Sequence, residues 1–138
     1  MPKESMLQFH TYVVDEIRFK KLPALDAPHQ FQLHPHFKRT TSVLENAQYN
    51  VTLTVEISSS ETAPAPFELF ISLTGRFSLL EADALAPETK AAILKNNTAA
   101  ILFPYLRAAV SSVISSANLP ALLLPVMSFQ DEESEDTM

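Results

Sequence analysis

Polar and apolar residues alternate along several stretches of this chain. Strict alternation that includes β-branched residues is typical of half-buried antiparallel strands. The pattern predicts four strands, over 9–19, 37–44, 50–58 and 67–79. On the first of them Phe9, Val13, Ile17 and Phe19 share one side, and Asp15 breaks the alternation. The first half of the chain therefore predicts an antiparallel sheet.

The segment 22–35, between the first two predicted strands, is a long loop with Pro23, Pro28 and Pro35. Proline stops regular structure, yet Leu25 and Phe31 make this loop more apolar than a solvated connection. Two interpretations stay open and are compatible. The loop packs as a lid on the sheet, or it forms one wall of an apolar groove.

After the fourth strand the apolar period becomes helical. A short helix is predicted over 88–95, with Pro87 at its start. A longer helix is predicted from Asn97 or Thr98, either of which can cap it, to about Ala117.

The longer helix has two faces that can pack. An apolar stripe is formed by Leu102, Leu106, Val110, Val113 and Ala117. Small residues flank it, namely Ala108, Ala109, Ser112, Ser115 and Ser116. Pro104 predicts a bend, because proline removes one helical hydrogen bond. Packing on the chain's own sheet explains the stripe, and the second face favours contact with another subunit.

Length and composition indicate one folded domain. The chain has 138 residues, 46% of them apolar, and no cysteine, which excludes disulfides and thiolate sites. The first residues lack the apolar segment of a signal peptide, and no apolar run reaches the roughly 20 residues that span a bilayer. We therefore expect a cytoplasmic protein without membrane insertion.

The negative charge is concentrated at the end of the sequence. The net charge is −6, and five acidic residues between 131 and 136 leave a nearly neutral body. Such a body offers no basic field for nucleic acid. We expect a single domain over 1–129 and a disordered acidic tail over 130–138.

Catalytic and metal-binding patterns are weak. The single glycine, Gly75, cannot supply the glycine-rich loops that hold phosphates. His29, His34 and His36 are close in sequence, but their proline-rich setting favours exposed or capping roles over zinc binding. We expect no enzyme, no cofactor and no metal site.

Several motifs resemble those of the SecB family of protein-export chaperones. LFPYLR at 102–107 precedes a helix, LPAL at 119–122 and PVMSF at 125–129. The family shows a similar F-P-Y-A-R helix followed by P-x-L-x-L-x-P-x-N-F. APHQF at 27–31 is similar to its A-P-x-x-F segment, and IRF at 17–19 to its first-strand I-x-F. The order of elements agrees from about residue 7 to 129.

The resemblance implies an α+β protomer with a four-stranded antiparallel sheet and helices packed on one face. It also implies a homotetramer, built as a dimer of dimers with helices in the middle. The implied function is that of an ATP-independent holdase, which keeps precursor polypeptides translocation-competent and passes many to SecA. Relatives serve antitoxins, so a dedicated module for a single partner is the alternative.

This sequence departs from the family pattern at two places. Ser128 stands where the family favours Asn, and the family's terminal helix has no counterpart after Phe129, which would leave the client groove more open. The family binds SecA through an acidic surface on the exposed sheet face. Glu16 could serve there, but Lys20 and Lys21 interrupt the negative patch.

The expected site residues fall into three groups. Client segments are expected to bind apolar grooves lined by Leu25, Phe31, Phe37 and Phe70. The subunit interface is expected at Tyr105, Ala109, Ser112 and Ser116. Glu16 is the expected contact for SecA.

Overall fold

The sheet has five strands in the order β1-β4-β3-β2-β5. The computed structural model describes residues 7–22, 34–45, 47–60, 65–80 and 85–118, and the backbone of 133–137. The strands are β1 (Leu7–Lys21), β2 (His36–Val43), β3 (Gln48–Ile57), β4 (Phe67–Leu79) and β5 (Glu133–Thr137). Neighbours among the first four are antiparallel, which confirms the predicted sheet, and β5 pairs in parallel with β2.

One continuous helix follows the fourth strand. It consists of α1 (Pro87–Ala92), a π-helical segment (Ile93–Asn97) and α2 (Thr98–Ser116). The sequence predicted two separate helices, the second capped at Asn97 or Thr98, and both predictions are wrong. The Thr98 hydroxyl donates to the Leu94 carbonyl oxygen at 2.6 Å, a bond that Thr makes within a helix. At the other end Asn118 takes a left-handed conformation with φ 61° and stops the helix.

The hydrophobic core lies between α2 and one face of the sheet, here called the helix side. Alternate residues of the central strands point to it and are fully buried, among them Val51, Leu53, Val55, Ile71, Leu73 and Phe77. The helix contributes Leu102, Leu106, Val110 and Ile114, also buried. Alternate residues of the strands and one face of the helix therefore pack together in one core. The opposite face, the open side, is mostly polar.

Gly75 allows the helix to lie close to the sheet. A Cβ atom at this position would lie 2.6 Å from Leu102 Cδ2 and 3.0 Å from Phe77 Cε1. Both neighbours are fully buried, so neither has free space to move into. The absence of a side chain at Gly75 thus fixes how closely α2 packs on β4.

Two irregularities in β1 change which residues share a face. The register with β4 shifts between Phe9 and Thr11 and again between Val14 and Glu16. Val13 consequently lies opposite Thr74 on the open side, so the prediction that it shares a side with Phe9 is wrong. A bulge adds one residue and exchanges the faces of everything beyond it.

The second bulge also places two carboxylates on the same face. Asp15 accepts a hydrogen bond from Thr74 Oγ1 at 2.5 Å, and Glu16 lies opposite Ser72 on the open side. Thr74 Oγ1 is also 2.8 Å from Thr52 Oγ1. A hydroxyl has one hydrogen to donate, so Thr52 donates to Thr74, which donates to Asp15.

The helix Pro87–Ser116 is long and apolar enough to cross a bilayer, judged by length and composition alone. This differs from the expectation drawn from run length in the sequence. However, its apolar stripe packs on the sheet, and Leu102, Leu106 and Val110 are fully buried there. Such packing is that of a core helix in a globular fold.

The end of the sequence contributes a strand. We expected residues 130–138 to be disordered, but the backbone of Glu133–Thr137 pairs with β2, from Lys38 opposite Glu133 to Ser42 opposite Thr137. Composition alone misses this pairing, because acidic residues have low strand propensity and only a neighbouring edge can order them. The domain boundary between 129 and 130 stays a prediction.

Candidate functional site

β1 carries large apolar side chains that the fold leaves exposed. On the helix side, Tyr12, Val14 and Ile17 are 36%, 42% and 50% exposed. Their partners on β4 are Gly75, Leu73 and Ile71, whose positions face the core. The helix packs over β3 and β4, so it covers the middle of the sheet and leaves this part of β1 open.

Tyr105 connects the helix to this exposed surface. Its ring centroid lies 4.4 Å from that of Tyr12 and 5.8 Å from that of Phe9. Such distances are those of favourable aromatic pairs. Tyr105 is itself 37% exposed. We call Tyr12, Val14, Ile17 and Tyr105 the β1 patch.

The residues predicted for the subunit interface form one stripe on α2. Tyr105, Ala109, Ser112 and Ser116 are spaced by four, three and four residues, which keeps them on the same helical face. Ser112 and Ser116 are exposed and Ala109 is half-buried. This stripe lies beside the buried one and continues into the β1 patch through Tyr105. Its role in assembly stays a prediction.

The residues predicted for client binding are not brought into one groove. Phe37 lies on the helix side, buried, with its ring 5.5 Å from that of Phe103 in an edge-on arrangement. Phe70 lies on the open side, where the Arg18 guanidinium covers its ring at 4.4 Å. Leu25 and Phe31 lie outside the described residues. The role of all four in client binding stays a prediction.

Glu16 is exposed on the open side, and its charge is compensated. Its role as a partner contact stays a prediction. Arg18 Nε lies 2.7 Å from Glu16 Oε2, and both side chains are at least half exposed. A second pair of opposite charges lies nearby, since Lys20 on β1 lies opposite Glu68 on β4. Among the described residues, the open side therefore carries mixed charge around Glu16 and no continuous acidic patch.

A cavity of about 270 Å³ lies between α1 and the ends of β2 and β3. It is lined by Thr41, Val43, Tyr49, Pro87, Lys90, Ala91, Leu94 and Lys95. Apolar atoms form most of its wall, and two lysines belong to its lining. Sequence reasoning missed it, because periodicity does not show which helix turn lies against which strand end.

Clustered ligands for a metal ion do not occur in the described part of the chain. No three His, Asp or Glu side chains come together there. His34 and His36 are exposed, and His29 lies outside the described residues. The described surface offers apolar and mixed-charge contacts, which suit the binding of other polypeptides.

These features define an α+β fold with an exposed apolar surface at one edge of its sheet. The family model described as preprotein translocase subunit SecB matches residues 6–132. The chain therefore belongs to the SecB family of chaperones, and the resemblance found in its motifs is confirmed.

Two relatives are similar to this chain in sequence. An uncharacterised protein of Methanocaldococcus jannaschii is 27% identical over 127 residues, which cover 90% of this chain and 80% of that protein. The protein-export protein SecB of Anaplasma phagocytophilum is 36% identical over 83 residues, 60% of this chain and about half (52%) of the relative.

A solved structure shares the fold. It is a SecB-like chaperone of Mycobacterium tuberculosis in complex with a ChAD peptide from the HigA1 antitoxin. The TM-score is 0.74 at 14% identity, with 88% of this chain and 91% of that chain covered. The α+β fold class predicted from the sequence is thereby confirmed.

Proposed function

We propose that this protein is an ATP-independent holdase, which binds unfolded or precursor polypeptides through apolar surfaces and keeps them from aggregating. Membership of the SecB family supports a chaperone role. The observation that carries the proposal is the match of the family model to residues 6–132. The β1 patch leaves four large side chains exposed at once and supports contact between subunits. Contiguous apolar surface on a folded protein marks contact with other chains.

The working form is a cytoplasmic homotetramer, arranged as a dimer of dimers. The β1 patch and the Tyr105–Ser116 stripe are adjoining surfaces on the same side of the protomer. Burying both between subunits would remove Val14 and Ile17 from water, which favours association at about 25 cal/mol for each Å² of apolar area. A client that spans several protomers then gains avidity from individually weak contacts.

The direct test is suppression of aggregation. A chemically denatured protein is diluted into buffer without ATP, and light scattering is followed with and without a several-fold excess of this chain. The holdase predicts a strong reduction in scattering, while an equal mass of an inert globular protein has no effect. Unchanged scattering with a folded, tetrameric sample contradicts the proposal.

Delivery of clients to SecA is a further part of the proposal. Glu16 on the open side supports it by position, and its pairing with Arg18 weakens the negative field that a basic partner would meet. Glu16→Lys is expected to reduce SecA binding, measured by calorimetry, without altering aggregation suppression. Equal SecA affinity for both forms would remove Glu16 from the partner surface.

The alternative is a dedicated chaperone or interaction module for one partner such as an antitoxin. It is favoured by the fold neighbour solved with an antitoxin peptide. Affinity capture with the tagged chain distinguishes the two functions. Many unfolded chains are expected for the holdase, and one dominant partner for the dedicated module.

A further inference from the structure

The outer edge of β2 is occupied by a distant part of the same chain. β2 pairs with β3 on one side and with β5 on the other. The β5 pairing is parallel and joins five consecutive residue pairs, from Lys38–Glu133 to Ser42–Thr137. An edge strand that is covered in this way cannot accept another chain.

The two strands have opposite charge. β2 contains Lys38 and Arg39 and no acidic residue, whereas β5 contains Glu133, Glu135 and Asp136. Acidic residues are unfavourable in strands, so β5 gains little from its own propensity. Backbone pairing holds it, which makes it an occupant that a better strand can replace.

The direction of β5 leads towards the cavity beside α1. Both strands run the same way, and the last pair of the ladder is Ser42 with Thr137. Thr41 and Val43 of β2 line this cavity, and Lys90 and Lys95 line it from the helix. An extended segment on this edge therefore passes from backbone pairing to an apolar hollow whose lining carries two lysines.

We propose that the edge of β2 and this cavity form a strand-addition site for an extended acidic polypeptide segment that ends in an apolar side chain. Glu133–Thr137 fills the strand part of the site in cis and thereby competes with such segments. Main-chain bonds provide affinity in this mode, and pockets provide selectivity. This inference rests on the proposed function in one respect, namely that the segment competing with β5 belongs to a client polypeptide.

Tethering explains how a weak strand can block the site. A segment linked to its own domain acts at an effective concentration in the millimolar range. While β5 occupies the edge of β2, a free segment can bind only to the fraction of molecules whose edge is open. Its apparent affinity is reduced by that fraction. Release of the tail should therefore tighten binding of a free segment about threefold to tenfold.

The test uses the full chain with the double substitution Ser134→Pro and Thr137→Pro. These positions are three residues apart, so their backbone N–H groups point to opposite edges of β5. One of the two prolines therefore removes an N–H donor that faces β2. All five acidic residues between 131 and 136 are kept, which separates strand pairing from charge. Ser134→Ala with Thr137→Ala is the matched control.

Two measurements are made on both variants and on the unmodified chain. Hydrogen exchange of the β2 amides is expected to quicken in the proline variant and to stay unchanged in the alanine control. Fluorescence anisotropy of a labelled peptide with the sequence of residues 130–138 is expected to show threefold to tenfold tighter binding to the proline variant. Lys95→Glu should weaken that binding, and Lys20→Glu, at the far edge of the sheet, should not.

Equal β2 exchange in the proline and alanine variants overturns the proposal, as does equal peptide affinity. Protection that rises with protein concentration also overturns occupancy in cis, because it assigns the strand to a second copy. The exchange measurement needs no client. Loss of aggregation suppression with the exchange difference intact therefore refutes the holdase and leaves the strand-addition site standing.

Discussion

The two edges of the sheet are treated in opposite ways. β1 is fifteen residues long and exposes apolar side chains, and within the described residues no strand pairs with its outer edge. β2 is eight residues long, carries two basic residues, and is covered by β5. Cover by another strand is one protection of an edge strand, and β1 lacks it within the described residues, so its exposed apolar side chains indicate a partner.

The position of α2 produces this difference. The helix rests on β3 and β4, where Gly75 lets it pack closely, and Tyr105 reaches towards β1. One fold therefore leaves apolar side chains exposed along one edge strand, whereas the other edge strand is covered by β5. We infer that self-association uses the β1 end and that the β2 end is regulated by the chain itself.

The largest expected effect comes from charging the β1 patch. Val14→Asp with Ile17→Asp places two carboxylates in a surface that association would bury, at a cost of several kcal/mol. We expect association to weaken about 100-fold or more, measured as molar mass by light scattering after size-exclusion chromatography.

Val13→Asp is the matched control. Val13 is 56% exposed on the same strand but lies on the open side. It should leave the assembly intact. Dissociation by this control, or an intact assembly in the double variant, would remove the β1 patch from the interface.

The next effect concerns the packing of the helix. Gly75→Ala introduces a Cβ atom 2.6 Å from Leu102 Cδ2, and overpacking of this kind costs about 1–3 kcal/mol. Denaturant unfolding should show this loss of stability. In the double variant with Leu102→Ala the loss should be smaller than the sum of the two single losses, because the alanine makes room. Strict additivity would show that the two sites are not in contact.

A smaller effect is expected at the β2 edge. Deleting residues 130–138 removes β5 and leaves the described core residues in place. The molar mass of the assembly should stay unchanged, and the free energy of unfolding should fall by less than about 1 kcal/mol, as for a weakly held segment. A change in molar mass would show that the tail takes part in assembly and would end the contrast between the two edges.

The smallest effect is expected in the connection between β2 and β3. Ala47 has a positive φ of 56°, which is unfavourable for a residue with a Cβ atom. Ala47→Gly relieves this strain and is expected to raise the free energy of unfolding by a few tenths of a kcal/mol, after the entropy of glycine in the unfolded chain is counted. Thermal melting of the two forms measures it, and a lower melting temperature contradicts the expectation.

The sequence predicted the central strands closely, since the expected segments 50–58 and 67–79 match β3 and β4. Both strands alternate without interruption, so periodicity alone is sufficient. In β1 the bulges at His10 and Asp15 exchange the two faces, and no pattern of single residues marks them. Val13 was misplaced for this reason.

The candidate site was less predictable than the fold. The stripe at Tyr105, Ala109, Ser112 and Ser116 follows from helical spacing, and the structure does place it on one face. Phe37 and Phe70 lie on opposite sides of the sheet. Phe37 pairs with Val55, which pairs with Ile71, so Phe70 is one residue away from the position on β4 that shares a face with Phe37. The cavity beside α1 depends on tertiary packing, which the sequence does not encode locally.

Native mass spectrometry of the chain mixed with an unfolded client tests the central claim most directly, because it reports assembly and polypeptide binding together. The account predicts complexes of four chains with one bound client, formed without ATP. Single chains, with or without a client, would contradict it, as would a tetramer that never retains an unfolded polypeptide.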